Sequence, residues 1–393
     1  MKGLYIINGL GFSHGVGIGG SDKRAIEVLR ALKVAKLEQF DILTTYSGKK
    51  IFLKDEKLDV LYLTITKPFF WPETINHYLF GRVLSYFYAL LVSGWIILRK
   101  NTYNFYFATS DFFFDLIPGF LGKAVHKKKL ICMVHHYIRS PKERSGGFLI
   151  NFLMYFSQRF SFWFITKTAD ALFLYDTDEG KKIHQVFLTS GYKRKVFFVK
   201  NGINTKLIDK AEKKETLYDA CFVGGLRLSK GINEFVPIWE QVLKFKSDAK
   251  LIILGGGSKE LVDQLKFQIK EAALQNHIIL AGPLSGTALF EKVKASKLFL
   301  FPSHEEGWGI ALCEAMYCLL PVVCYDLPAF TVFGNVLIKC RVGDFDCLAQ
   351  NTIELLKKDA KRVEIGKTLN VIAAEYTWEK IALYDLECIK SVL

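Results

Sequence analysis

The chain has 393 residues, half of them hydrophobic, and contains no low-complexity tract or short-period repeat. This length allows two domains with separate cores, and the composition excludes a repeat array. The net charge of +14 comes from the first half, since residues 1–200 hold 29 Lys and Arg against 15 Asp and Glu, whereas residues 201–393 hold 24 of each sign. A basic half favours an anionic membrane, a nucleic acid or a phosphorylated acceptor as partner, unless it is only a soluble basic surface.

The eight cysteines indicate a reducing environment. No two of them form a CxxC pair, and several lie in apolar runs, so we expect buried, reduced thiols. Glycines between Gly9 and Gly20 interrupt any apolar segment after Met1 that could serve as a secretory signal. We therefore expect a cytoplasmic protein.

Apolar segments of strand length alternate with helical stretches along the chain. In the first half, the predicted strands are 4–8, 41–46, 58–66, 105–109, 130–135, 171–175 and 196–200. In the second half, they are 218–223, 250–254, 277–280, 297–301, 321–324 and 336–338. Strands that are apolar on both faces are typical of parallel sheets covered by helices, so the sequence predicts an α/β protein with two doubly wound domains. The charged segment 206–215 is the predicted linker.

Three apolar segments raise the question of a membrane. Residues 83–98 carry no charge, but a helix of this length spans about 24 Å, short of the roughly 30 Å hydrocarbon core, so we predict a buried or interfacial helix. Residues 148–165 are interrupted by Arg159 and predict an amphipathic helix. The aromatic cluster Phe69–Trp71 precedes Pro72 and indicates a loop, either packed in the core or dipping into a membrane.

A glycine-rich segment follows the first predicted strand. Gly15, Gly17 and Gly20 fit the pattern G-x-G-x-x-G, but the pattern starts seven residues after Asn8, too late for a dinucleotide-binding turn. Gly19 and Gly20 instead open a helix predicted over 22–32, where bare amides could hold an anion or a sugar. A flexible loop without a ligand is the alternative.

Histidines end the strand predicted at 130–135. His135 lies at the carboxyl end, where a doubly wound domain places its ligand contacts, so we predict a hydrogen-bonding site residue. A metal site would need further ligands such as His304 and Glu305, and no HxH or HExxH spacing supports it, so we predict none.

The second half carries two motifs that fit a ligand with a diphosphate. Arg227 and Lys230 follow the glycine-rich end of the strand at 218–223, and both cations could reach a diphosphate. After the strand at 297–301, a turn with bare amides contains Gly307, Trp308 and Gly309, and a helix starts at Ile310. Two carboxylates, Glu306 and Glu314, flank this turn. Anion-binding amides between two acids suggest a ligand that is part phosphate and part polyol, as nucleotide sugars are.

These residues resemble the retaining glycosyltransferases of family 4. The resemblance covers nearly the whole chain: its main signature is Glu306-x7-Glu314 within the segment 302–316, and it extends to Gly19-Gly20, His135, Asn201-Gly202-Ile203-Asn204, Gly225-Leu226-Arg227, Lys230-Gly231 and Thr377-Trp378-Glu379. It implies the GT-B fold, with two Rossmann-like domains facing across a cleft. It also implies an acceptor-binding domain at 1–205, a nucleotide-sugar-binding domain at 206–376 and, at 377–393, a helix crossing back to the first domain.

The resemblance also implies roles for these residues. Arg227 and Lys230 neutralise the departing diphosphate, and the amides of Gly307, Trp308 and Gly309 hold the sugar and phosphate. Glu306 contacts the sugar hydroxyls, and Glu314 the ribose. His135 contacts the donor sugar. Gly19, Gly20 and Ile310 complete the expected donor-binding set.

The expected activity is transfer of a sugar, with retention and without metal or cofactor, from a nucleotide-diphosphate sugar to a hydroxyl acceptor. We expect a lipid-linked or cell-envelope acceptor and peripheral attachment of the basic domain to the inner face of the plasma membrane. Alternatives are a glycan phosphorylase on the same scaffold and a non-catalytic membrane or nucleic-acid adaptor. No nucleic-acid-binding motif appears, so we expect no nucleic-acid partner.

Overall fold

A computed structural model describes residues 1–9, 19–36, 39–46, 48–50, 60–65, 79–144, 147–213 and 215–393, without the side chains of residues 79, 80, 82 and 83. The described chain divides into two compact units. The first contains the described residues up to Lys200 together with Trp378–Leu393, and the second contains Asn201–Thr377. The predicted aromatic loop Phe69–Trp71 lies outside the described residues.

The described part of the first unit is built on a parallel sheet of seven strands in the order β3-β2-β1-β4-β5-β6-β7. Its strands are β1 Lys2–Ile7, β2 Gln39–Thr45, β3 Tyr62–Ile65, β4 Phe105–Ala108, β5 Lys129–Val134, β6 Ala171–Tyr175 and β7 Lys195–Val199. The strand order reverses between β1 and β4, which is where doubly wound domains bind their ligands.

The helices described for this unit pack on the sheet. They are α1 Gly20–Val34, α2 Leu79–Leu98, α3 Phe113–His126, α4 Phe148–Thr168, α5 Asp178–Thr189 and, from the end of the chain, α13 Trp378–Val392. The core on one face of the sheet joins alternate strand residues to α2, α3, α4 and α5, through side chains such as Ile97, Leu116, Ile165 and Phe187. Strand residues outside this core, such as Tyr5 and Phe107, are buried as well. Burial on both faces of an all-parallel sheet explains why the strands are apolar runs.

Helix α13 is tied to α1 by a buried ion pair. The guanidinium of Arg24 donates to both carboxylate oxygens of Asp385 at 2.9 and 2.8 Å, and both side chains are buried. Such a bidentate ion pair compensates for the loss of water around both charges. It fixes the end of the chain to the first unit.

The second unit, as far as it is described, contains a parallel sheet of six strands in the order β10-β9-β8-β11-β12-β13. Its strands are β8 Ala220–Val223, β9 Leu251–Leu254, β10 Ile278–Gly282, β11 Phe299–Phe301, β12 Val322–Tyr325 and β13 Ile338–Cys340. Its helices are α6 Thr205–Lys210, α7 Phe235–Phe245, α8 Lys259–Glu271, α9 Gly286–Lys294, α10 Ile310–Tyr317, α11 Phe345–Lys357 and α12 Asp359–Ala373. Here the strand order reverses between β8 and β11.

All thirteen predicted strands are present, and the prediction of two doubly wound α/β domains is confirmed. The expected linker at 206–215 is wrong in its first part, because Thr205–Lys210 is a helix. The Asn204 side chain caps this helix by accepting from the Leu207 amide. The expectation of eight free thiols is also wrong, since Cys340 and Cys347 form a disulfide, whereas the other six cysteines are free and buried. Among the described helices, none is long and apolar enough to cross a membrane.

Candidate functional site

The candidate site lies where two neighbouring strands of the second unit end. β8 and β11 are adjacent parallel strands, paired at Cys221 and Phe299. The order of the strands in the sheet reverses between them. Their carboxyl ends therefore open on the same edge, at the point where the connecting segments diverge. The predicted motif with Arg227 and Lys230 follows β8, and the motif with Glu306 follows β11.

Lys230 and Glu306 form the central contact of the site. The Lys230 Nζ donates to Glu306 Oε1 at 2.5 Å and to the Glu305 carbonyl oxygen at 3.3 Å. Both side chains are mostly shielded from water, with 21% and 12% of their surface exposed. A cation and an acid thus meet at one point, although they lie 76 positions apart in the sequence.

Backbone contacts hold the two strand ends together. The Ser229 carbonyl accepts from the amide of His304 at 2.9 Å and from the buried hydroxyl of Ser303 at 3.3 Å. Gly231 adopts φ +70°, and a Cβ there would lie 2.2 Å from the Pro302 carbonyl oxygen. The contact requires glycine for both reasons.

The turn after β11 leads into α10, and the backbone amides at the start of this helix are available to a ligand. Gly309 precedes the helix with φ +99°, a conformation that favours glycine. The first amides of α10, from Ile310 onward, have no acceptor within the helix, and the helix dipole makes this end attractive to an anion. The Trp308 ring is buried against Phe333 and Tyr376, with centroids 4.9 and 5.3 Å away. Trp308 therefore anchors the turn through its side chain and leaves ligand contacts to the backbone.

The two remaining predicted residues differ in their surroundings. Glu314 lies one turn into α10 and is buried, with 5% of its surface exposed. Arg227 is exposed and makes no ion pair within the described part of the second unit. It is therefore available for a ligand, whereas Lys230 is already engaged by Glu306.

A further acid of the site was missed by the sequence analysis. Glu234 binds the His304 Nε2 through one carboxylate oxygen and accepts from the Tyr325 hydroxyl at 2.5 Å through the other. It thus joins the loop after β8, the loop after β11 and strand β12. Among the described residues, no group of three or more His, Cys, Asp or Glu could hold a metal ion.

His135, in the first unit, is buried and uncharged. Its Nε2 is 2.7 Å from the Thr109 carbonyl oxygen, so Nε2 carries the proton and Nδ1 accepts from the Tyr175 hydroxyl at 3.0 Å. The pKa of His135 is lowered to about 3, chiefly because burial disfavours the charged ring; the bond to Thr109 opposes this shift, and the nearby charge of Arg24 contributes to it. Gly19 and Gly20 lie at the start of α1 in the same unit, Gly19 as the residue before the helix.

We expect His135 to make stability dependent on pH. Its pKa is about 3 when folded and near 6.5 for a histidine side chain free in water, so between these values the unfolded chain binds more protons. Stability is therefore lost as the pH falls below 6.5, by about 2 kcal/mol between pH 7 and pH 5. Urea denaturation at both pH values should show that the wild type loses about 2 kcal/mol more than His135→Gln between pH 7 and pH 5. An identical pH dependence in the two proteins would contradict the buried, neutral assignment.

Comparison with known proteins identifies the second unit. The sequence profile of the family described as glycosyl transferases group 1 matches residues 204–368, which include every predicted site residue of this unit. Residues 204–368, most of the second unit, thus resemble a group 1 glycosyltransferase domain. The resemblance inferred from Glu306, Glu314 and the cations is thereby confirmed.

The curated proteins that are similar to this chain are distant relatives. A 2-deoxystreptamine N-acetyl-D-glucosaminyltransferase of Niallia circulans is 25% identical over 281 residues, 68% of this chain and 71% of the relative. The lipopolysaccharide core biosynthesis mannosyltransferase LpsB of Rhizobium meliloti is 30% identical, over 38% of this chain and 48% of its own. A GDP-mannose:cellobiosyl-diphosphopolyprenol alpha-mannosyltransferase of Xanthomonas campestris is 24% identical, over 56% and 55%. The chain thus spans only about half the length of the last two.

Solved structures with a similar backbone show the fold of the whole chain. Sucrose-phosphate synthase from Thermosynechococcus elongatus superposes with a TM-score of 0.76 at 14% identity, over 100% of this chain and 98% of that one. HepE of Anabaena, solved with UDP-glucose, superposes with a TM-score of 0.74 at 15% identity over both whole chains. The fold is GT-B, as the resemblance implied.

Proposed function

We propose that this glycosyltransferase moves a sugar, with retention of configuration, from a nucleotide-diphosphate sugar to a hydroxyl acceptor. The observation that carries the proposal is the pairing of Lys230 with Glu306 at the adjacent ends of β8 and β11, beside the amides that open α10. Cation, acid and helix end supply the three kinds of contact that a sugar diphosphate needs.

The chemistry places negative charge on the leaving group. Breaking the bond between the anomeric carbon and the diphosphate leaves a nucleoside diphosphate with one more negative charge. Lys230 and the exposed Arg227 would stabilise this charge, together with the amides at the start of α10. Glu306, which holds Lys230 in place, would accept from hydroxyls of the transferred sugar.

Retention is proposed to follow from attack on the same face as the leaving group. The acceptor oxygen would bond to the anomeric carbon as the phosphate departs, and the departing phosphate oxygen would take the acceptor proton. Cations that hold the diphosphate near the reacting carbon suit this route. The reaction as written needs no metal or cofactor. Both ring nitrogens of His135 are hydrogen-bonded within the first unit, so we assign His135 no step in this reaction.

Nucleotide binding tests the donor part of the proposal. In calorimetry with nucleoside diphosphates, we expect one of them to bind, and Glu314→Ala to weaken that binding at least about tenfold, because the buried Glu314 carboxylate would accept from the ribose hydroxyls. Glu364→Ala is the matched control, since Glu364 lies in α12, away from the site. If Glu314→Ala binds nucleotides as the wild type does, the proposed ribose contact is wrong. If phosphate supports sugar release and no nucleotide binds, the enzyme is a phosphorylase.

The acceptor is proposed to be lipid-linked or part of a cell-envelope glycan. One relative is named for a diphosphopolyprenol acceptor and another for lipopolysaccharide core biosynthesis. The positive charge of residues 1–200 would attract an anionic leaflet, at about 1 kcal/mol for each Lys or Arg near the surface. We therefore propose peripheral attachment to the inner face of the plasma membrane.

A further inference from the structure

Helix α4 presents its apolar side chains outward. Eight large apolar residues of this helix are each 40–65% exposed: Phe148, Leu149, Ile150, Phe152, Leu153, Phe156, Phe160 and Trp163. At 100° per residue, all but Ile150 lie within about 140° of the helix circumference. They form one continuous stripe on the outside of the first unit.

The opposite side of α4, which packs on the unit, is rich in polar residues. Asn151, Gln158, Ser161, Thr166 and Thr168 are all buried. The Gln158 amide donates to the Asp111 carboxylate at 2.9 Å and the His136 carbonyl at 2.8 Å, and it accepts from the Ile138 amide at 2.7 Å. The helix thus reverses the usual arrangement of a water-facing helix, in which the apolar stripe faces the core. The sequence predicted an amphipathic helix, but not this orientation.

Helix α2 adds a second exposed apolar stripe. Leu84, Phe87, Leu91, Trp95 and Leu98 recur at helical spacing and are 37–73% exposed. The Arg99 guanidinium stacks on the Trp95 ring at 3.9 Å, and both side chains face solvent. A stacked Trp and Arg at the end of an apolar stripe suits the boundary between lipid chains and headgroups.

Helix α3 joins these two stripes. Tyr86 of α2 stacks on Phe114 of α3, with centroids 5.0 Å apart, and Phe113 of α3 contacts Phe160 of α4 at 5.3 Å. The three helices lie on the same face of the sheet. We call the exposed side of α2, α3 and α4 the apolar face. It carries more exposed large apolar side chains than a water-soluble monomer usually displays together.

The charge around the apolar face is predominantly positive. Residues 79–168 contain twelve Lys and Arg but three Asp and Glu, and of these acids Asp111 and Asp115 are buried. Exposed cations follow the helix ends: Arg99 after α2, Lys127 and Lys129 after α3, and Lys167 in the last turn of α4. In a parallel α/β layer these helix ends share one edge, so the cations form a basic rim there.

We infer that the apolar face rests on an anionic lipid bilayer, with α4 lying in the plane of the headgroups and its aromatic stripe against the acyl chains. The inference deepens the proposed function, because it names the surface through which the enzyme would attach to the membrane. It rests on the proposed membrane attachment but not on the donor site. Aromatic and aliphatic residues next to a basic rim match a surface that is apolar inside and negatively charged at its boundary. A soluble protein partner would not by itself explain this excess of cations.

Vesicle flotation of the whole chain tests the inference. We expect binding to vesicles of phosphatidylcholine with phosphatidylglycerol and much weaker binding to phosphatidylcholine alone. The triple variant Phe156→Ser, Phe160→Ser, Trp163→Ser should lose binding on the order of a hundredfold, because it removes three side chains from the stripe. Phe267→Ser, Val363→Ser, Val371→Ser is the matched control, since these residues of the second unit are 54–70% exposed. It should bind as the wild type does.

Three outcomes would overturn the inference. Vesicle binding that survives in the α4 variant would mean that charge alone holds the protein. A wild type that is dimeric in light scattering and does not bind vesicles, with an α4 variant that is monomeric, would make the apolar face a contact between copies. No vesicle binding by a monomeric wild type would leave the face without a lipid partner. Nucleotide binding, measured in the same samples, shows that the variants are folded and keeps failure here separate from failure of the donor site.

Discussion

Lys230→Ala should reduce sugar transfer by roughly a hundredfold or more in a protein that still folds. The Lys230 ammonium lies at the point where the diphosphate would gain charge, and losing one such group costs on the order of 3 kcal/mol of transition-state stabilisation. The change also leaves the Glu306 carboxylate without its partner at 2.5 Å, so both the cation and the placement of the acid are lost. Turnover is measured with the nucleotide sugar whose nucleotide binds in calorimetry.

Lys270→Ala is the control for Lys230→Ala. Lys270 is an exposed lysine in the last turn of α8 in the same unit, so its removal changes the net charge equally without touching the strand ends. It should turn over as the wild type does. Comparable turnover in Lys230→Ala would refute the proposed role of this cation. A parallel loss of turnover in Glu306→Ala would show that the pair acts together.

The strands could be predicted from the sequence because both faces of each sheet are buried. A buried parallel strand must be apolar along its length, so the segments around Phe107, Phe173 and Ile253 stand out as short apolar runs between polar loops. The candidate site was predictable for a related reason. Doubly wound domains bind their ligands at the carboxyl ends of the strands, and glycines at these ends mark places where the backbone approaches closely.

The contacts between distant segments could not be predicted in this way. Glu234 joins His304 and Tyr325, and nothing in the local pattern around any of them indicates the other two. The disulfide between Cys340 and Cys347 depends on the end of β13 lying beside the first turn of α11, and spacing alone does not give this. Periodicity identified the stripe on α4, but it could not tell that the polar side of the helix would be buried.

Gly231→Ala is expected to lower both stability and transfer, because it separates the two strand ends that build the site. Gly231 has φ +70°, which costs an alanine about 1–2 kcal/mol. The added Cβ would also lie 2.2 Å from the Pro302 carbonyl oxygen and 3.0 Å from its carbon, and backbone atoms cannot move aside as a flexible side chain does. Relief of this clash must shift the loop after β8 away from the loop after β11, and Lys230 away from Glu306.

Gly286→Ala separates the two causes. Gly286 has φ +64°, but no atom lies within 4 Å of an added Cβ, so this variant suffers the backbone cost without the clash. In thermal or urea denaturation, Gly231→Ala should be less stable than Gly286→Ala, and only Gly231→Ala should lose transfer. Equal stability of the two variants with normal turnover would mean that the strand ends tolerate separation. Lys230 and Glu306 would then not need their close contact for the reaction, and the donor site would have to be built by other residues.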